Sequence, residues 1–597
     1  MSLSDRDAFK ERQLFESVRS FLIVLGAGWD SNWRLRLEQV DPGQEYQTVA
    51  GHGASIAFLP RIPTGGLGLA ITPARCLTLV TGNSLVDPAA WEHGCQADAA
   101  KVDVDVNHTS VRALTSIVAL PGIFLYQDPH RLVMTTDLFL LNAVPGLSLQ
   151  FNRQAVRESA FIGHPVGFRT LFQNVSLLPG GHEVRVDAHR NVSISAAWAM
   201  PETDPAPNWR IYLEMQIEAF EAAMDRIKVV KSVLSLTGGL DTRTILAALT
   251  RSGRPVPACT MSGMRTLLDA TIARQLCRNY GINHEIIPIA EDFLASLPSW
   301  VESASRLSGG LTGISQAHEV YFNHMLAGQF QTRISGFLGN QVGRLGTEKV
   351  SYRRCDLSLL AGPGSSAEEK YWYEKIMVED GHLDYRFLLQ EEVPFSSVGN
   401  YSIGSRFLTQ QSPYADRTLI ELYSRRPLAN RSKSTPSFLR LRLNDLHHRF
   451  LGEPADVSFQ RTFVNRAGGY AAECPINWGW QAKGGMSFRG LVNGNLALLD
   501  AFTSRQKVGG MLESLLEASG ITGRHEYLYY DKWISLRLKD MVGELLLGSS
   551  IRGTDLFEPR RLEHMYWEWR SGKSRESKNL IFAVDMAMAA HVFKVTC

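Results

Sequence analysis

Along the first two hundred residues, short apolar runs alternate with polar breaks that carry proline or glycine. "SIVALPGIFLYQDPHRLVMTTD" (116–137) holds two such runs around "QDPH". "NVSLLPGGHEVRVDAHRNVSISAAW" (174–198) repeats the pattern, with breaks at Pro179-Gly180-Gly181 and at "DAHRN". Runs of this length separated by turn residues predict strands, here an antiparallel sheet domain. "AMPETDPAPNWR" (199–210) then brings three prolines and little apolar content, which makes it the best candidate linker.

Beyond it the period changes. Leu213, Ile217, Phe220, Met224 and Ile227 fall at helical spacing and form one apolar face. "SVLSL" (232–236) predicts a buried strand, followed by "TGGLDT" and a helix carrying Ile245, Leu246 and Leu249. Two further strand-like runs, "VPACTMSG" (256–263) and "HEIIPI" (284–289), bracket the helical "TLLDATIARQLCRNYG". Strand, helix, strand, helix, strand is the order of a parallel sheet with crossover helices. The last third reads as mainly helical and rich in arginine and tryptophan, and no repeat or low-complexity tract interrupts it.

Composition narrows the class. A chain of 597 residues exceeds one ordinary core, so two or more domains are expected. Hydrophobic residues at 44% with 20% charged fit a soluble globular protein. The 62 basic and 60 acidic residues leave +2, with no long single-sign run. That excludes a nucleic-acid footprint and a polybasic membrane patch. No stretch approaches the roughly 18 apolar residues of a membrane span. Seven scattered cysteines (Cys76, Cys95, Cys259, Cys277, Cys355, Cys474 and Cys597) include no CxxC pair, so neither a zinc site nor a disulfide framework is suggested. The start, "MSLSDRDAFKERQLF", lacks an apolar signal core, and a cytoplasmic location is expected. The Asn-X-Ser/Thr triplets at Asn107, Asn174 and Asn191 are then chance matches.

The candidate chemistry sits where the first parallel strand ends. Gly238 and Gly239 would let phosphate oxygens approach the main chain, and the following helix would present its positive end. Asp241 beside a phosphate needs a cation between them, and Mg²⁺ is the usual bridge. Thr237 and Thr242 offer hydroxyl donors. No lysine follows the glycines, so this is not a GxxxxGK[ST] loop, and GGxD taken alone is more readily an ordinary tight turn.

Several stretches together resemble the asparagine synthetase superfamily. "LSLTGGLDTRTILAAL" is similar to its "SGGLDSS" pyrophosphate loop, and "RISGFLGNQVGRLG" (333–346) to its second loop, "SGxGxDExFGG". "SPYADRTLIELYSRRP" (412–427) resembles the later "PFLDxxLVEFxxxLP" segment. "TLFQNVSLLPGGHEVRVD" and "GIFLYQDPHRLVMTTD" resemble stretches of its first domain. The resemblance spans nearly the whole chain in the right order. It implies an α+β, glutamine-amidotransferase-like first domain (1–205), an Ntn-type β-sandwich with helices and a degenerate class II glutaminase. An α/β synthetase domain (206–597) would follow, like the adenine nucleotide α-hydrolases, with a parallel sheet and a helical C-terminal part. It also implies ATP and Mg²⁺. The pyrophosphate cradle would be Thr237–Thr242 with Ser335, Gly336 and Gly339 as its second side; adenosine would lie on backbone near Leu236, Met261 and Gly336; Asp241 and Asn340 would hold the metal.

The departures direct the functional reading. Family members that use glutamine begin Met-Cys, whereas this chain begins Met-Ser-Leu, so the first domain is expected to make no ammonia, although Ser2 could serve as a nucleophile on chemistry alone. Asn340 stands where an aspartate is usual and Gln341 where a glutamate is. Phe337 replaces the Glu of asparagine synthetases and the Tyr of β-lactam synthetases. With the missing nucleophile and the total length, these changes most resemble lasso peptide cyclases. Those form an isopeptide bond between a precursor's N-terminal amine and an Asp or Glu side chain, which implies a leader peptidase and a leader-recognition protein as partners. For the oxyanion, Lys483 in "GWQAKGGMSF" is a candidate, though it also suits a solvated surface, and Arg461 and Arg466 compete with it. Asp269 matches an acidic position of the family, yet a helix cap or an ion pair would explain it too. His447-His448 are adjacent, which points the rings apart and argues against a metal pair. "MYWEWRSGK" (565–573) reads as helix packing with surface arginines.

Overall fold

The computed structural model describes residues 13–25, 33–60 (without 42–43, 45 and 51–53), 76–82, 95–343 (without 106–107 and 264–266), 355–362, 385, 388–427 (without 397), 458–476, 481–483, 530–572 and 577–596. Ser2, the His447-His448 pair and Cys597 lie outside them.

The long strand Gln13–Leu25 organises the N-terminal half because it belongs to two sheets. Its first residues run parallel to Cys76–Gly82, in a sheet continued by Ala99–Asp105, Ser110–Leu114, His182–Val186 and Val192–Ala196. Its last residues pair antiparallel with Ala54–Pro60 and Leu132–Thr135, in a second sheet with Gln47–Ala50, Phe124–Gln127 and Val175–Leu177. Alternation along "FLIVL" explains the layering. Phe21, Ile23 and Leu25 join one core with Leu79, Val102 and Val184, between the two sheets. Leu22 and Val24 point the other way, into a core shared with Phe293, Leu297 and the C-terminal helix Ser577–Val592. A strand segment covered on both faces is expected to be apolar at every position, and Phe21–Leu25 is.

The expected antiparallel sheets are present, with one parallel pair among them. "QDPH" does separate two paired strands, Phe124–Gln127 and Leu132–Thr135. Pro179-Gly180-Gly181 carries the chain from one sheet to the other. A Cβ on Gly180 would lie 2.3 Å from the Ile117 carbonyl oxygen, which explains the glycine there. The proline-rich linker is tied down: the Ala206 N–H donates to the Arg425 carbonyl at 2.7 Å and the Trp198 indole to Glu421 at 2.8 Å. Helix α1 (Trp209–Arg226) starts inside the stretch read as linker, because Asn208 caps it by accepting from the Ile211 N–H.

The second half is built on five parallel strands: β1 (Ser232–Ser235), β2 (Ala258–Ser262), β3 (His284–Pro288), β4 (Thr332–Ile334) and β5 (Thr409–Gln411). Helices α2 (Leu240–Arg251) and α3 (Leu268–Tyr280) follow β1 and β2, and α4 (Ala317–Ala327) precedes β4. The sheet order is β3-β2-β1-β4-β5, so the winding direction reverses between β1 and β4. In open α/β sheets that reversal opens a crevice at the carboxyl ends of the strands. The remaining described C-terminal elements are helical, including α5 (Ser458–Ala467).

Candidate functional site

The two glycine-rich loops emerge side by side at this reversal. "TGGLDT" follows β1 and "SGFLGN" follows β4, with the strands in register at Leu234 and Ile334. A Cβ on Gly339 would lie 2.7 Å from Cγ of Asp241, and one on Gly336 would lie 2.9 Å from its Cβ. The glycines of one loop are thus the condition for its contact with the other. Leu338, between them, holds a left-handed φ of 63°.

The first loop is folded around Thr237. Its hydroxyl lies 3.2 Å from that of Thr242 and accepts from the Gly239 N–H at 3.3 Å, while its own N–H donates to Thr242 at 3.1 Å. Gly239 caps α2 without a side chain, leaving the helix's positive end to the crevice, and Asp241 sits in its first turn. The Gly238 N–H donates to Asp269 at 3.1 Å, so this carboxylate on α3 occupies one donor of the loop. Leu236 is fully buried and its carbonyl accepts from Thr260, while Met261 lies at the same edge on β2.

In the second loop, the Ser335 N–H donates to Gln411 at 2.9 Å and the Phe337 carbonyl accepts from Ser412 at 2.6 Å. The Phe337 ring packs against Tyr401, 5.9 Å between centroids. The third resembling segment, "SPYAD", starts directly after β5, and its Tyr414 hydroxyl donates to the Asp241 carbonyl at 2.9 Å. Burial, reinforced by the Asp241 charge, pushes the Tyr414 phenol well above its ordinary range.

Two residues at the site escaped the sequence reading. Gln460, fully buried on α5, donates through Nε2 to Asp241 Oδ1 at 2.9 Å and to the Gly339 carbonyl at 3.0 Å. Arg243, also fully buried, donates to the carbonyls of Gly238, Ala471, Cys474 and Pro475. The available signal was a polar side chain on an apolar helix face: Gln460 shares its face with the buried Phe463 and Val464.

Lys483 pairs with Glu473 rather than with a residue of either loop. Its Nζ lies 3.3 Å from Glu473 in an exposed pair. Arg461 donates to the Ala482 carbonyl and Arg466 pairs with Glu214 on α1.

The donor set can be tested against Mg²⁺. Asp241 supplies a carboxylate, and Asn340 Oδ1 and Gln460 Oε1 are buried oxygens with no hydrogen-bond partner. Hard oxygens suit Mg²⁺, which keeps several waters and takes phosphate oxygens as further ligands. Among the described residues no three His, Cys, Asp or Glu side chains gather as a metal cluster, so the protein's own ligands there would be mainly neutral.

No family model matches the chain, and no curated protein does. Solved structures that match include the NMN synthetase from Francisella tularensis, at 16% identity and a TM-score of 0.17. The match covers 23% of this chain and 57% of that one. At that score the likeness fixes neither fold nor activity.

Proposed function

We propose that the chain is an ATP-dependent, AMP-forming carbon–nitrogen ligase of the asparagine synthetase type. Its substrate is a precursor peptide: an Asp or Glu side-chain carboxylate is adenylated, and the peptide's N-terminal amine closes a macrolactam. The observation that carries the reading is the meeting of the two loops at the sheet reversal, with Gly336 and Gly339 against Asp241. A glycine-rich turn that leaves a helix's positive end open to the crevice suits a pyrophosphate.

In the first step a carboxylate oxygen attacks the α-phosphorus and pyrophosphate leaves. In the second the amine nitrogen attacks the acyl carbon, loses a proton, and AMP leaves. Thr237, Gly238, Gly239, Thr242, Ser335, Gly336 and Gly339 bind the pyrophosphate portion, and backbone at Leu236 and Met261 borders the adenosine. Asp241 and Asn340 would hold Mg²⁺, whose chemistry is to neutralise charge on the phosphate oxygens. Lys483 is the proposed oxyanion partner, which requires it to leave Glu473. A leader peptidase and a leader-recognition protein are the expected partners.

The test supplies ATP, Mg²⁺, the candidate precursor and its peptidase. Loss of one water from the released core peptide with formation of AMP is expected, and Asp241→Ala should abolish pyrophosphate release. AMP formed only with a free small acid or sugar acid and ammonia would instead identify an amidotransferase-like ligase. Asn340, Gln341 and Phe337 favour one further reading, a nucleotide-binding paralogue impaired in catalysis, which ATP binding without pyrophosphate release would reveal.

A further inference from the structure

We infer that Gln460 is the positioning residue that locks the nucleotide site together, an inference that rests on the nucleotide-binding reading above. Its side-chain amide bridges the two loops from a third element. One N–H donates to Asp241 Oδ1, in the first turn after "TGG", and the other to the carbonyl of Gly339, in the second loop. Both donors of the amide are therefore spent on holding the loops in contact. The contact they fix is the one that Gly336 and Gly339 permit, where any Cβ would collide with Asp241.

Packing alone does not explain a glutamine here. Phe459, Phe463 and Val464 surround the position with apolar neighbours, and the side chain is wholly buried. Its Oε1 is left without a partner, so a Met or Leu would serve the core better. A local rule broken in this way is expected where a site needs the polar contact. A glutamate would fail for the opposite reason, because it would set a second carboxylate against Asp241 and a carbonyl. Arg461, the neighbour that drew attention in the sequence, points elsewhere and holds the Ala482 carbonyl.

The bond can be tested by exchanging its donor and acceptor. ATP binding with Mg²⁺ is measured by calorimetry, and melting temperature without ligand, for the wild type, Gln460→Met, Gln460→Glu, Asp241→Asn and the double exchange. Gln460→Met should melt close to the wild type yet bind ATP about tenfold more weakly, a split that a packing role does not give. Gln460→Glu and Asp241→Asn should each weaken binding at least about tenfold. The double exchange restores the amide-to-carboxylate bond but not the one to the Gly339 carbonyl, so it should recover part of the loss, roughly threefold, with non-additive melting temperatures. An ATP-binding wild type whose Gln460 variants bind equally well, or whose two single effects simply add, overturns the inference alone. A wild type that binds no ATP overturns the nucleotide reading and the positioning role with it.

Discussion

Arg243 shows what a single side chain does for the candidate site. It lies in the first turn of α2 with its guanidinium enclosed, and it donates to neutral carbonyls: Gly238 at 3.3 Å, Ala471 at 3.3 Å, Pro475 at 3.1 Å, and Cys474. Burial lowers its pKa, but a guanidinium stays charged in proteins, so the side chain ties the phosphate loop to the segment 471–475 as a cation. Lysine offers three donors from one point and cannot span four carbonyls. Arg243→Lys should therefore cost roughly 2 kcal/mol, and Arg243→Ala roughly 3–5 kcal/mol through orphaned carbonyls and a cavity. Urea denaturation measures both, and a loss under about 0.5 kcal/mol for Arg243→Ala would remove this role. The glycines of the site were legible in the sequence because a turn declares itself within a few residues. Arg243 was not, since its partner Ala471 lies 228 positions away and nothing local announces it.

At the scale of elements, the sequence showed β1, β2 and β3 and the helices between them but missed β4 and β5. Each of those is three residues long, too short for a hydrophobic period to register. Only the loops that follow them carried a signal. What anchors β4 is polar: Arg333 donates to Ser235 on β1 at 2.7 Å and to Glu319 and Asn323 on α4 at 2.8 and 3.1 Å, with its guanidinium 4.7 Å from the Phe322 ring centroid. His318 begins the same helix face and is buried near Trp533. Burial pushes its imidazole down to about 4, against the pull of the Glu319 charge and with the push of Arg333. The unfolded chain binds a proton near 6.5, the buried ring only near 4. The folded state thus holds fewer protons between those values. The contribution is complete above about pH 6.5 and is lost as pH falls toward 4, on the order of 3 kcal/mol. His318→Phe should flatten the acid limb of stability against pH over that window. An unchanged slope in chemical denaturation at pH 4.5, 5.5 and 6.5 would show that His318 does not set it.

Across the whole molecule the two halves are held by more than the linker. Asp41, from the N-terminal half, accepts from Arg306 and Arg406 of the second half and from the Tyr46 hydroxyl at 2.8 Å. Burial raises the pKa of this carboxyl, yet the Arg406 and Arg306 charges outweigh that and hold it below its usual range. Asp137, half-buried beside them, is pushed up by burial instead. Replacing Asp41 by Asn keeps the shape but puts a neutral acceptor where Arg306 and Arg406 now meet a carboxylate. Removing one partner of a buried pair costs about 3–5 kcal/mol. The consequence depends on what else joins the halves. Leu22 and Val24 lie in one continuous core with Phe293, Leu297, Phe582 and Met586, so neither half can withdraw without exposing it. Asp41→Asn should therefore move the unfolding of both halves together. Far-ultraviolet circular dichroism and tryptophan fluorescence in urea should still report one coincident transition, displaced to lower denaturant. Two separated transitions in the variant would mean that the halves are independent domains and that the Asp41 cluster, rather than the shared core, had been coupling them.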